Sequence, residues 1–289
     1  MRPLKLELLD CQLQHELPEL PAASSIASFN GRCFLIGDSS QFLHVLDVDG
    51  QRRRFPLLPQ ADIVLEPLPK KQKPDFEGLV LDSAGGKLLV LPSGSKKNRF
   101  TGVLVDLKQA DFPAVAVDLA PIFQRVMQMA GIGEEDFNIE GGGVLGQERW
   151  FLLNRGNGPN RRNLIVILQG ADLLTAEPVA SHVLQLPELD GWPATSTDGF
   201  ASDGLLYVVA AAEGTESTFE DGEVAGSLIA CFDLADFALC AWCRLPSAIK
   251  MEGLCFLAAQ GSRKTLLLCS DQDDPQKPGL VYRVVLELV

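Results

Sequence analysis

Residues 138–157 read NIEGGGVLGQERWFLLNRGN. An acid and three glycines precede one apolar run, and an arginine follows the next. Glycine inside a strand marks close approach of other backbone. Copies of the pattern elsewhere show what approaches. FEGLVLDSAGGKLLVLPSGS begins at Phe76, TDGFASDGLLYVVAAAEG at Thr197 and MEGLCFLAAQGSRKTLLLCSDQDD at Met251. Each has an acid, a glycine, an apolar run, a turn, a second apolar run and a polar loop. A degenerate copy, SSIASFNGRCFLIGDSS, begins at Ser24 and lacks both acid and glycine.

With Ser24, Glu77, Glu140, Asp198 and Glu252 as equivalents, the intervals are 53, 63, 58 and 54 residues. Continuing from Glu252 to the last residue and on from the first to Ser24 gives 61. That last interval matches the others only if the chain closes on itself. Repeats of this length, each with several short strands, predict an all-β chain folded as a five-bladed β-propeller, with residues 1–289 as a single domain. A sixth blade requires one repeat to have diverged beyond recognition.

The remainder of each repeat supplies outer strands. FLHVLDV, TGVLVDL, NLIVILQ, SLIACFDL and GLVYRVV read as third strands. RRRFPLL, AVAVDLA, ASHVLQL and ALCAWCRL read as fourth strands, and the last repeat runs out of chain before its fourth. LKLELL, residues 4–9, fits that vacancy, which would close the ring and remove exposed sheet edges. PIFQRVMQMAG, residues 121–131, is the exception: Ile122, Val126 and Met129 share a helical face and Gly131 fits the stop. A short helix there accounts for the 63-residue interval.

Composition sets bounds. The chain is 46% hydrophobic and carries 38 acids against 25 bases, a net charge of -13. Such a charge argues against nucleic-acid or anionic-membrane partners. No run of about 18 uncharged apolar residues offers a membrane span, and the first residues lack a signal peptide's apolar core. Seven scattered cysteines read as reduced thiols, which points to a cytoplasmic protein. Cys240 and Cys243 form a CxxC on an expected strand, where buried apolar thiols are the simpler reading than a redox or zinc pair.

In a propeller the first strand of each blade lines the axis, so the repeated acids converge on one channel mouth. Like charges at close range require compensation. A cation supplies it, or paired bases do, or the acids spread apart and accept backbone N–H groups of adjacent blades. For a cation, oxygen donors favour calcium: Glu77, Glu140, Asp198, Glu252 and Asp271 are the candidate ligands, with Asp38, Ser93, Asn154 and Asp273 as further loop oxygens. Bases gather on the same face. Arg155, Lys250, Lys71 and Arg99 are candidates to hold a small anion or phosphate, Arg155 foremost for its planar fork. An internal pair between Arg155 and Glu140 is the equal alternative. No catalytic residue can be named. There is no GxSxG or P-loop, and His44 and His182 fall on third and fourth strands, away from the axis.

NIEGGGV followed by FLLNRGN, with EGLVLD and MEGLCF, resembles the phytase-like and esterase-like bacterial β-propellers, including the type first described as SdiA-regulated. The resemblance implies a propeller that binds calcium through Glu77, Glu140 and Glu252, with Arg155 after the second strand. Asp198 and Ser24 depart from the family's acid. The expected function is a ligand-binding propeller for a small anion or phosphoester. The alternatives are a metal-dependent phosphoester or ester hydrolase, and a protein-interaction scaffold.

Overall fold

The computed structural model describes residues 4–289 except 48, 63, 65, 215–223, 247–248 and 275. Most of the expected loop over residues 213–226 therefore lies outside the described residues. The strands form five antiparallel sheets arranged as five blades. Blade one is β2 (Ala23–Phe29), β3 (Arg32–Gly37), β4 (Phe42–Leu46) and β5 (Arg52–Pro56). Blade two is β6 (Phe76–Asp82), β7 (Lys87–Pro92), β8 (Thr101–Asp106) and β9 (Ala114–Asp118). Blade three is β10 (Ile139–Gly146), β11 (Arg149–Asn154), β12 (Leu164–Gln169) and β13 (Glu177–Val183). Blade four is β15 (Trp192–Ser202), β16 (Leu205–Glu213), β17 (Val224–Asp233) and β18 (Leu239–Arg244), with the two-residue β14 (Glu188–Leu189) paired to β15.

Blade five closes the ring. Its order is β19 (Lys250–Gln260), β20 (Arg263–Asp271) and β21 (Gly279–Leu288), then β1 (Leu6–Leu17) on the outside. Leu6 faces Leu288 and Leu17 faces Gly279, so the N-terminal strand pairs along the whole of β21. It is longer than the six residues expected. Innermost strands contact one another in the cycle β2, β6, β10, β15, β19 and back to β2.

Each blade interface holds its own apolar core, and the strand alternation explains it. Side chains alternate across a strand. On β11, Trp150 and Leu152 pack with Val80 and Leu89 of blade two, while Phe151 and Leu153 pack with Leu206 and Val208 of blade four. Corresponding cores join blades one and two, four and five, and five and one. Second strands buried on both faces therefore read as uninterrupted apolar runs. The helix α1 (Ala120–Ala130) buries Ile122, Phe123 and Val126 in the blade two–three core and ends at Gly131 with φ 62°. Met129 is only partly buried there. No helix among the described residues is long and apolar enough to cross a membrane. Cys240 and Cys243 are half-buried on β18 rather than fully buried.

The three glycines of the opening stretch touch neighbours on all sides. A Cβ at Gly141 would sit 2.7 Å from Asp198 Oδ1, and one at Gly142 would sit 2.8 Å from the Phe151 carbonyl and 3.0 Å from Val80 Cγ2. At Gly143 it would meet the Phe151 ring at 2.7 Å. Blades two and four come close enough to β10 that only glycine fits.

Candidate functional site: an acidic channel mouth

Each inner strand carries a β-bulge near its start. The register breaks fall between Ala23 and Ser25, Phe76 and Gly78, Ile139 and Gly141, Ser196 and Asp198, and Met251 and Gly253. The bulged residues are therefore Ser24, Glu77, Glu140, Thr197 and Glu252. Bulges re-aim a side chain, and here the repeat uses them at one position of every blade. The sequence alignment was one residue out in blade four. Asp198 occupies the register of Gly78, Gly141 and Gly253, and Thr197 stands at the acid position. The misreading has a simple source: Asp198-Gly199 mimics the Glu-Gly of the other repeats.

Glu140 and Glu252 meet around Arg155. Its Nη1 lies 3.3 Å from Glu140 Oε2 and 3.7 Å from Glu252 Oε1, and its Nη2 lies 2.8 Å from Glu213 Oε2. Nε donates to Thr195 Oγ1 at 3.1 Å. Arg155 is 4% exposed, so this is an internal cation enclosed by three carboxylates. Lys250 Nζ adds contacts to Glu252 Oε1 at 3.2 Å and Asp273 Oδ1 at 3.3 Å. Asn138 Nδ2 donates to Glu140 Oε1 at 2.6 Å. Asn154 also has a structural part: its amide donates to the Asp136, Arg155 and Arg162 carbonyls.

Glu77 lies in the other half of the mouth. Lys73 Nζ bridges Asp38 and Asp75, lying 2.9 Å from Asp75 Oδ1. Arg99 Nη1 and Ser93 Oγ bind the other Asp75 oxygen. Asp75 holds a left-handed backbone, φ 61°, one that Asp tolerates better than most residues. Ligand oxygens of Asp38, Asp75 and Glu77 all lie within 4.8 Å of one another. Asp38 Oδ1 is buried without a hydrogen-bond partner, and so is Glu252 Oε2 across the mouth. A cavity of about 380 Å³, lined by Asp38, Lys73, Asp271 and Asp273 among others, opens beside this group between blades one and five.

Charge at the mouth is out of balance. Nine described carboxylates (Asp38, Asp75, Glu77, Glu140, Glu213, Glu252, Asp271, Asp273 and Asp274) gather with five cations, Lys70, Lys73, Arg99, Arg155 and Lys250. Proton affinities respond accordingly. Burial, then the Glu140 and Asp75 charges, push Glu77 well above the usual carboxylate range. Burial pushes Glu140 up to about 7 despite Arg155. Asp271 rises to about 8, chiefly by burial, with Lys250 opposing. Glu252 also rises through burial, against Lys250 and Arg155. Burial alone would discharge Lys73 and Lys250, yet the surrounding carboxylates hold both ammonium groups charged.

The other sequence candidates lie as follows. Arg99 is buried on Asp75, and Lys71 is exposed at the rim. Asp198 is 2% exposed and belongs deeper in the channel. Its Oδ2 accepts Ser25 Oγ of blade one at 3.0 Å and Leu254 N of blade five at 3.1 Å, and Oδ1 accepts Gly199 N at 2.8 Å. It thus ties three blades together, one of the three arrangements considered for the acids. Sequence reading missed Glu213 and Asp75 as members of the mouth. Asp75 carried a signal as the acid directly before the repeat's first apolar residue; Glu213 carried none.

A family model matches residues 19–286. The chain belongs to a family of unknown function, DUF6929. No curated protein matches it by sequence. Among solved structures it is similar to Myxococcus xanthus glutaminyl cyclase, with TM-score 0.52 and 13% identity over 96% of this chain and 97% of that one. It is also similar to a luciferin-regenerating enzyme, with TM-score 0.51 and 10% identity over 95% and 94%. At these identities the likeness is one of fold. The likeness of fold to these structures accords with the ring of inner strands, and the chemistry has to come from the mouth itself.

Proposed function

We propose that this member of the family is a ligand-binding propeller whose mouth holds a hard cation, calcium fitting best. The observation that carries the reading is the Asp38–Asp75–Glu77 group: three carboxylates within 4.8 Å, in a mouth with more buried acids than bases. Calcium takes six to eight oxygens and tolerates irregular geometry. Asp38 Oδ1 is a buried oxygen without a partner, and Glu77 completes the group. Lys73 holds Asp38 and Asp75, and Arg99 the second Asp75 oxygen, so Lys73 would have to give way to the ion. Glu140 and Glu252 are committed to Arg155 and would act as the negative surround, not as ligands. Arg155 and Lys250 are likewise bound to carboxylates, so a small anion or phosphate would be drawn by the bound cation and by exposed Lys71. When bound, the ion supplies the positive charge that the mouth lacks.

Thermal unfolding with calcium or EDTA tests this. Calcium raises the melting temperature of the wild type, and the rise is lost in Glu77→Gln. No rise with calcium, or an unchanged rise in Glu77→Gln, would remove the proposed seat.

One observation favours a second reading, a metal-dependent phosphoester or ester hydrolase of the phytase-like kind. Glu140, at about 7, could give or take a proton at neutral pH. A panel of phosphoesters and esters decides it: calcium-dependent turnover abolished by Glu140→Gln supports the hydrolase. Absence of turnover leaves the binding reading alone.

A further inference from the structure

The channel has a second end, built from the later halves of the same inner strands. A cavity of about 390 Å³ opens there, lined by residues from all five blades. That volume lies in the range of small-molecule sites. Much of its wall is apolar, formed by Ile26, Leu79 and Leu81, Val144, Phe200 and Phe256, with Ser28, Ser83 and Ser202 among the rest of the lining. Small residues in the lining, among them Ala27, Gly142, Gly199 and Ala201, leave the space between these walls. Phe256 remains 36% exposed and Val144 37% exposed at the rim, an unusual display of apolar surface at a pore.

One ionisable carboxyl lines this cavity, that of Asp198, and no lysine, arginine or histidine does so among the described residues. A carboxylate offers about four acceptor positions. Asp198 uses two on Oδ2 and one on Oδ1, where Gly199 N is the donor. A Cβ at 141 would press to within 2.7 Å of Oδ1, so glycine there is what lets the carboxyl sit between the blades. Aromatic faces at the rim already accommodate positive charge. Phe200 and Phe256 lie 5.5 Å apart, and Lys264, held by Asp203 at 2.6 Å, sits over the Phe256 and Tyr207 rings at 5.9 and 5.5 Å.

We propose that this end of the channel is a separate ligand site, taking a small organic ammonium ion with an apolar body. The ammonium pairs with Asp198 at the floor, and the body fills the apolar walls up to Phe256. Burial holds Asp198 toward its neutral form. An ammonium brought against it supplies the counter-charge that lets it ionise, whereas a neutral apolar molecule supplies none and an anion presses it further toward the neutral acid. The site is independent of the cation seat, since none of Asp38, Asp75 or Glu77 lines it.

Isothermal titration calorimetry with 2-phenylethylamine, 2-phenylethanol and phenylacetate tests the assignment, with calcium in excess so that amines do not compete for the acidic mouth. The amine is expected to bind at least about tenfold more tightly than the alcohol, and phenylacetate not at all. Ala201→Phe, which fills the cavity, abolishes binding while leaving the calcium-dependent melting shift unchanged. Asp198→Asn removes the preference for the amine if that variant folds; Ala201→Phe carries the test if it does not. Equal affinity for amine and alcohol, absence of amine binding, or amine binding that survives Ala201→Phe would each overturn the proposal.

Discussion

Arg155 is the residue on which the mouth's electrostatics turn. It sits among Glu140, Glu213 and Glu252 with almost no solvent contact. Removing one partner of a buried ion pair leaves uncompensated charge, which costs about 3–5 kcal/mol. Arg155→Met should therefore lower unfolding free energy in urea by that amount near neutral pH. A loss below about 1 kcal/mol would show that the surrounding carboxylates need no buried partner. Lys73 plays the opposite part. Its ammonium occupies the Asp38–Asp75 pair that calcium would use, so Lys73→Met should destabilise the calcium-free protein yet tighten calcium binding. Weaker calcium binding in that variant would place the ion elsewhere.

At the scale of the element, the bulged inner strands do the positioning. Strand β10 packs against β6 and β15 at distances that only glycine permits. Gly141→Ala would force its Cβ into Asp198, at 2.9 Å from the Cα and 2.7 Å from Oδ1. Overpacking of this kind costs about 1–3 kcal/mol, and a melting temperature equal to the wild type would contradict the packing described. The bulge also marks where sequence reading stopped. Repeat spacing made the strands, their order and the closing β1 legible, because apolar alternation and loop composition recur in every blade. The single-residue offset in blade four was not legible: Thr197 and Asp198 differ in which one the bulge turns, and Asp-Gly imitates Glu-Gly. Glu213 was hidden for a related reason. It lies at the far end of the longer β16, beyond the position that corresponds to Asn154, and no repeat register points to it.

For the whole molecule, ring closure and charge are one problem. Strand β1 covers β21 and joins the two chain ends; without residues 6–17 the protein should expose an unpaired edge and lose its cooperative transition, seen by circular dichroism and size-exclusion chromatography. Gathering the inner strands also gathers their acids. Glu140 and Asp271 hold protons in the folded state up to about 7 and about 8, whereas unfolded carboxylates release them near 4. Between those values the folded state binds more protons than the unfolded one, so stability falls as pH rises through this window. Glu77, raised in the same sense, adds to the slope. The calcium-free protein should melt at a lower temperature near pH 8 than near pH 5.5, and Glu77→Gln should reduce the difference. An opposite slope would mean that the mouth is fully ionised and already neutralised by its own bases.

The most direct measurement is calorimetric titration of the wild type with calcium near pH 7, repeated in buffers of different ionisation enthalpy. A mouth short of positive charge predicts saturable binding accompanied by release of protons, since an incoming cation displaces those that burial has retained. Absence of binding heat in every buffer, with no change in melting temperature, would contradict the claim that the ring assembles a cation seat.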